Sequence, residues 1–246
     1  MNVYEAGLIK NKVIPSKINI DENLNKSISI DLGMVNLMTI YNPTGKQHLI
    51  KGGSLLSLNE FYVKKISELQ NKNKTIYNKN NFNRLILLND ERIRKINVLF
   101  NQIINKITEV YDKKEIMIVG YNEHWKQNSN LYGDINRKFQ QIPFKRLLNK
   151  LREKWEEKGK LFIEIEESYT SKCDALNLEE MINKKVYDGI RTKRGLFISK
   201  KGKAINSDLN GAINIMRKYY KEMKEIKGER IYNPERIDLR VKYNKK

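Results

Sequence analysis

A single cysteine, Cys173, stands in 246 residues. An intrachain disulfide needs two thiols and a four-cysteine zinc site needs four, so both are excluded. Long apolar runs are missing as well. Nothing approaches the ~18 residues of a spanning helix, and mean hydropathy is -0.67. The opening MNVYEAGLIKNK has no apolar stretch of the kind a secretory signal carries, so secretion is not expected. Acids are the scarce charge: 29 Asp plus Glu against 48 Lys plus Arg leave a formal +19. Such a surplus repels itself in a compact state, and a polyanionic partner relieves it by counterion release. Biased coding that inflates Lys stays open as an alternative source of the charge. The expectation is a soluble, cytoplasmic, nucleoid-associated protein whose partner is nucleic acid.

What is present is an order of periodicities. SISIDL at 27–32 alternates and reads as a strand ending in a carboxylate; NLMTIYN and QHLIK follow across a Pro-Thr-Gly turn, giving a three-strand meander. From 54 to 111 the spacing is helical, through Leu55, Leu58, Tyr62, Ile66 and Leu69 and again from Leu85 to Ile107, with a polar interruption at 71–81. That predicts a helical hairpin. EIMIVGY at 115–121 reads as a buried central strand. A basic loop at 124–141 leads to a helix opened by Pro143, with a core face of Phe144, Leu147, Leu148, Leu151 and Trp155. Strand spacing returns at 161–167, an irregular basic insert occupies 170–206, and a last helix opens at Ser207, read as its N-cap. The tail from 221 is polar and is expected to be weakly ordered, and residues 1–26 read as an arm left from a preceding domain. Three strands in sequence, then strands alternating with helices, predict an α/β domain over 27–220: an RNase H-like mixed sheet flanked by helices.

Most acids lie among lysines on helices, where a solvated face is the default. Three places differ. Asp31 ends an apolar strand, where an unpaired charge is costly to bury. Glu166 and Glu167 follow another strand, and Asp208 opens the last helix, where a carboxylate also suits the helix dipole. A phosphodiester nuclease uses such groups: carboxylates from separate elements hold two divalent ions roughly 3.5–4 Å apart around the scissile phosphate.

These residues sit in longer phrases. S-I-D-L-G-x-x-N-L (29–37), G-Y-N-E-x-W-K-Q (120–127), Q-I-P-F (141–144), Y-T-S-K-C (169–173), K-R-G-L-F (193–197) and D-x-N-G-A-x-N-I (208–215) occur in this order. Together they resemble the RuvC-like nuclease half of TnpB, the OrfB protein of insertion sequences known as a transposase and related to Fanzor and the type V CRISPR effectors. The resemblance covers about 27–220. It implies an RNA-guided DNA endonuclease that uses two magnesium ions, with DNA and a guide RNA as partners. Its acidic triad, which is also its metal-ligand set, falls on Asp31, a Glu, and Asp208. The family's usual middle Glu corresponds here to Gly120. A subset resembling Fanzor supplies the Glu three residues before the Thr-Ser pair, which selects Glu167; Glu166 and Glu123 are the alternatives. The paired cysteines of the family's zinc ribbon are absent, so no zinc is expected. The large N-terminal half typical of the family has no counterpart before residue 27, which makes a truncated or catalytically impaired nucleic-acid-binding derivative the alternative reading.

Two segments predict contacts to the polymer. In 124–146, Trp125 offers a stacking surface while Lys126, Arg137, Lys138, Lys145 and Arg146 can neutralise phosphates. In 184–203, eight Lys or Arg face only Asp188, a net +7; Arg191, Lys193 and Arg194 are the phosphate candidates.

Overall fold

The computed structural model describes residues 20–75, 79–122, 133–193 and 195–237. Glu123, Trp125, Lys126 and Arg194 therefore lie outside the described residues. The chain is a mixed α/β structure. A short helix α1 (Ile20–Asn25) leads into β1 (Ser27–Leu32), β2 (Asn36–Tyr41) and β3 (His48–Lys51). The hairpin helices α2 (Gly53–Thr75) and α3 (Lys79–Val110) precede β4 (Ile116–Gly120), α4 (Gly133–Gln140), α5 (Phe144–Glu156) and β5 (Leu161–Ile165). A three-stranded antiparallel sheet, β6 (Ile190–Lys193), β7 (Leu196–Ile198) and β8 (Ala204–Asn206), comes before α6 (Ser207–Tyr219) and a final β9 (Glu235–Ile237).

The main sheet has the order β5-β4-β1-β2-β3-β9. β1 runs antiparallel to β2 and parallel to β4, and β4 is parallel to β5. Period-two alternation decides what each face carries. On β1, Ile28, Ile30 and Leu32 enter one apolar layer together with Ile103 and Ile107 of α3 and Leu147 and Trp155 of α5. The opposite set, Ser27, Ser29 and Asp31, looks toward α6. Ser29 Oγ donates to the Ala212 carbonyl at 2.6 Å and Ser27 Oγ meets the Tyr220 hydroxyl at 2.7 Å. Two short hydroxyl side chains let the helix lie close against β1. The same helix buries Leu209, Ala212, Ile213, Ile215 and Met216 against Ile118 of β4 and Tyr41 of β2. At roughly 1.5–3 kcal/mol for each large apolar side chain removed from water, that face fixes α6 to the sheet.

Several expectations need correction. The N-cap of α6 is Asn206, not Ser207: the Asn206 side chain accepts from the amides of Asp208 and Leu209 at 3.0 and 3.1 Å. The loop read at 124–141 contains α4, because Gly133–Gln140 can set Arg137 and Lys138 against Glu60 of α2. The insert is not irregular throughout, since 190–206 forms the small sheet. Nor does 221–237 leave the body: Glu229 forms a β-bridge with Lys46, and β9 pairs in parallel with β3. Tyr41 donates its hydroxyl to the Lys227 carbonyl at 2.8 Å, which ties the returning segment to β2. Its sequence is polar because it forms an edge, where one strand face stays wet.

Candidate active site

β1, β4 and β5 are parallel, so their carboxyl ends share one side of the sheet. Asp31 lies near the end of β1 with the parity of Ser29, hence on the α6 face. Its Oδ2 is close enough to the helix that a Cβ on Gly211 would sit 2.9 Å from it. Glu167 comes two residues beyond Ile165, and Ile163 and Ile165 pack on the α6 side. Continued alternation therefore carries Glu167 toward the helix and Glu166 away. Glu167 Oε2 is buried and lies 3.1 Å from where a Cβ of residue 120 would be, a space that Gly120 leaves open beneath Ile215. Asp208 stands in the first turn of α6.

The three carboxylates influence one another. The Asp31 carboxyl keeps some access to solvent, yet its pKa is raised well above the ordinary carboxylate value. The causes are burial first, then the charge of Glu167, then that of Asp208, while Arg191 acts in the opposite direction. Asp208 is held on both oxygens. Asn36 Nδ2 donates to Oδ2 at 2.7 Å, and the Arg191 guanidinium is 3.7 Å from Oδ1. Asn36 in turn accepts from Lys51 Nζ at 2.8 Å. A buried amide thus links a lysine on β3 to the helix carboxylate, and the two bonds fix which end of the amide faces which partner. The sequence reading missed Asn36, Lys51 and Gly211, although Asn36 and Gly211 stood inside the quoted phrases; only the sheet register brings the three to this place.

The other candidates divide. Glu166 is exposed and turned aside, accepting from Ser168 Oγ at 3.0 Å and lying 3.5 Å from Lys218 Nζ. Arg137 and Lys138 are occupied with Glu60 at 3.2 and 3.3 Å. Lys145 and Arg146 are exposed on the first turn of α5, and Lys193 is exposed on β6. Arg191, chosen as a phosphate contact, is at the acids instead, half-exposed. Cys173 is buried, its thiol directed to the Glu180 carbonyl.

Among the described residues, no three His, Cys, Asp or Glu side chains are gathered closely enough to form a finished metal cluster. The donor chemistry fits a hard divalent cation: carboxylate oxygens from two strand ends and a helix, one of them desolvated beside two like charges. Asp31, Glu167 and Asp208 are the residues that could hold it.

The insert that precedes α6 is fastened by carboxylates. Asp174 is fully buried and accepts from the amides of Leu176, Asn177 and Lys200 and from Ser199 Oγ. Glu179 accepts from the amides of Asp174 and Asp188 and pairs with Lys184. Asn210 and Asn214 of α6 donate to the Cys173 carbonyl at 2.8 and 2.7 Å, joining insert to helix.

Residues 13–125 match the family model OrfB_IS605, described as a probable transposase, and residues 144–215 match that of the Cas12f1-like TNB domain. No curated protein matches. Among solved structures, a Cas12f1-sgRNA-target DNA complex is similar with a TM-score of 0.56 and 16% identity, over 77% of this chain and 49% of that one. A CRISPR-Cas12f ternary complex gives a TM-score of 0.59 and 19% identity, over 77% and 38%. At such identities the likeness is one of fold, and the chain spans half or less of the length of these neighbours. With an OrfB-type transposase segment followed by a Cas12f1-like TNB segment, the chain is TnpB-like.

Proposed function

We propose that this chain is a DNA endonuclease of the RuvC type, built on an RNase H-like sheet and directed by a guide RNA. The observation that carries the reading is the convergence of Asp31, Glu167 and Asp208 on one pole, strongly enough that two of them raise the pKa of the third. Antiparallel β1–β3 followed by parallel β4 and β5, in the order β3-β2-β1-β4-β5, supports the RNase H-like assignment. Asp31, Glu167 and Asp208 would hold magnesium, which supplies charge neutralisation at the phosphate and lowers the pKa of the attacking water. The chain's own residues then have separate tasks. Asp31 is the central acid, touched electrostatically by both others. Glu167 borders the space at Gly120, which Ile215 of α6 occupies, and would replace a strand-borne acid with one delivered from beyond the end of β5. Asn36 fixes the rotamer of Asp208. Arg191 balances charge while the acids are unliganded and is free to turn to a phosphate oxygen once they are occupied.

The test is cleavage of DNA by the purified protein with its co-purifying RNA and magnesium. Asp31→Ala and Glu167→Gln are expected to abolish the product while the thermal transition persists. Equal cutting by Asp31→Ala would end the proposal. A second reading, a protein that grips nucleic acid without cutting it, is favoured by the absence of a finished three-acid cluster among the described residues. It predicts salt-dependent binding with no magnesium-dependent product.

A further inference from the structure

On the α6 face of the sheet, β1 and β2 set a donor that lacks an acceptor beside an acceptor that lacks a donor. Thr39 lies directly opposite Asp31 in the antiparallel pair, where the Cβ atoms of facing residues stand about 4.5–5.5 Å apart. The two side chains share a face. Met38 and Ile40, on either side of Thr39, enter the layer of Ile28 and Ile30, whereas Tyr41 enters the layer of α6. Strand parity therefore turns Thr39 toward α6, as it turns Asp31. Thr39 is fully buried, and its Oγ1 has no hydrogen-bond partner among the described residues. What acts on the Asp31 carboxyl is burial and the charges of Glu167, Asp208 and Arg191, with no hydrogen bond among these influences. Sheet order puts Thr39 on one side of Asp31 and β4, with Gly120 and the neighbouring Glu167 carboxylate, on the other.

We infer that Thr39 is a positioning residue for Asp31: its hydroxyl donates to the ionised carboxylate and holds that side chain in one rotamer, with the remaining lone pairs open to a divalent cation. This rests on the nuclease reading for the cation itself. A buried hydroxyl with nothing to bond is a standing cost to the fold. Valine has the same shape and suits a strand equally well, so packing alone gives no reason for the oxygen. Asp31 is the acceptor within cross-strand reach, and an ionised carboxylate accepts without donating. Rotation of the threonine about χ1 between staggered positions redirects the hydroxyl without moving the backbone. A hydrogen bond to the charged form favours that form, which is the one that ligates a metal. β2 thereby serves two acids from positions three residues apart, Asn36 on Asp208 and Thr39 on Asp31.

The test is manganese(II) binding to the RNA-free protein, read by paramagnetic resonance, with thermal melts alongside. Thr39→Val keeps the shape and deletes the hydroxyl. It is expected to weaken manganese binding by about 10–100-fold, the usual effect of losing an outer-shell partner, while melting at or above the parent. Thr39→Ala, a second variant without the hydroxyl, is expected to bind as weakly. Thr39→Ser keeps the donor and loses only the methyl group, so it is expected to restore most of the affinity while melting lower. Parental affinity in Thr39→Val overturns the assignment. So do equal losses in Thr39→Val and Thr39→Ser, because shape rather than the hydroxyl would then matter. Comparison of Thr39→Ala with Thr39→Ser decides the same question if valine disturbs the fold. Manganese lost in Asp31→Ala but kept in Thr39→Val removes the role of Thr39 and leaves the nuclease reading standing. Manganese bound equally by the parent and Asp31→Ala removes the cation site, and the role of Thr39 with it.

Discussion

Asn36 is the residue whose importance is least visible in its own chemistry. An amide between Lys51 and Asp208 does not titrate and carries no charge, but it decides where a carboxylate points. Outer-shell partners of this kind typically change metal affinity or activity by about 10–100-fold when removed. Asn36→Ala is expected to reduce magnesium-dependent cleavage by that order and to raise the magnesium concentration needed for half-maximal rate, while the fold survives. Asp31 makes a different prediction. Its folded pKa is raised, so the native state retains a proton that the unfolded chain has released. The contribution of Asp31 to stability is therefore full at and below the ordinary carboxylate range and is lost as pH climbs toward the raised value. Thermal melts of metal-free parent and Asp31→Asn, compared across that range, isolate this decline from the opposite trend of acids such as Glu60 and Asp188, whose pKa values are lowered. Asp31→Asn should melt higher than the parent at neutral pH and decline less steeply. Both acids at 31 and 208 were legible as candidates because each broke its surroundings, one as a charge on an apolar strand and one in a quoted phrase. Glu167 was legible as a candidate through its spacing to Thr170 in the family phrase. Asn36 was not, because its partner Lys51 is fifteen residues away and meets it only through the β2–β3 pairing.

At the scale of elements, α6 and the insert show how local sequence is overruled by packing. Gly211 allows the helix to lie beside Asp31, and a Cβ there would stand 2.9 Å from Oδ2. Gly211→Ala is expected to gain about 1 kcal/mol of helix propensity and to displace the carboxylate, cutting activity more than stability; paired melting and cleavage measurements separate the two. The insert depends on Asp174. Removing a buried acceptor of four hydrogen bonds leaves several donors unsatisfied at about 1–3 kcal/mol each, so Asp174→Ala should lower stability by roughly 3 kcal/mol or more in denaturant titrations. A chelator selective for zinc should leave those titrations unchanged, since one cysteine cannot close a thiolate site. The density of lysine concealed this segment's order from the sequence. Strands β6–β8 are three or four residues long, too short for alternation to stand out, and Asp174, which fastens the turn after β7, is 25 residues from Ser199 and 26 from Lys200.

For the molecule as a whole, the strand and helix order was legible because the central strands are apolar on one face and carry small polar groups on the other. The sixth strand was not, for a three-residue edge strand has no pattern that separates it from a loop. The surplus of +19 acquires a direction in the structure: cations from β3, β6 and β9 gather beside Asp208, while Arg137 and Lys138 are spent on Glu60. On the proposed reading, charge drives association with a polyanion, and the acids set within that basic edge hold a divalent cation. Manganese(II), a spectroscopically visible substitute for magnesium at oxygen sites, reports that binding without requiring turnover. Paramagnetic resonance of the RNA-free protein should show manganese bound to the parent chain and sharply weakened binding in Asp31→Ala and Asp208→Ala, with both variants folded. Manganese bound equally by all three proteins would contradict the account.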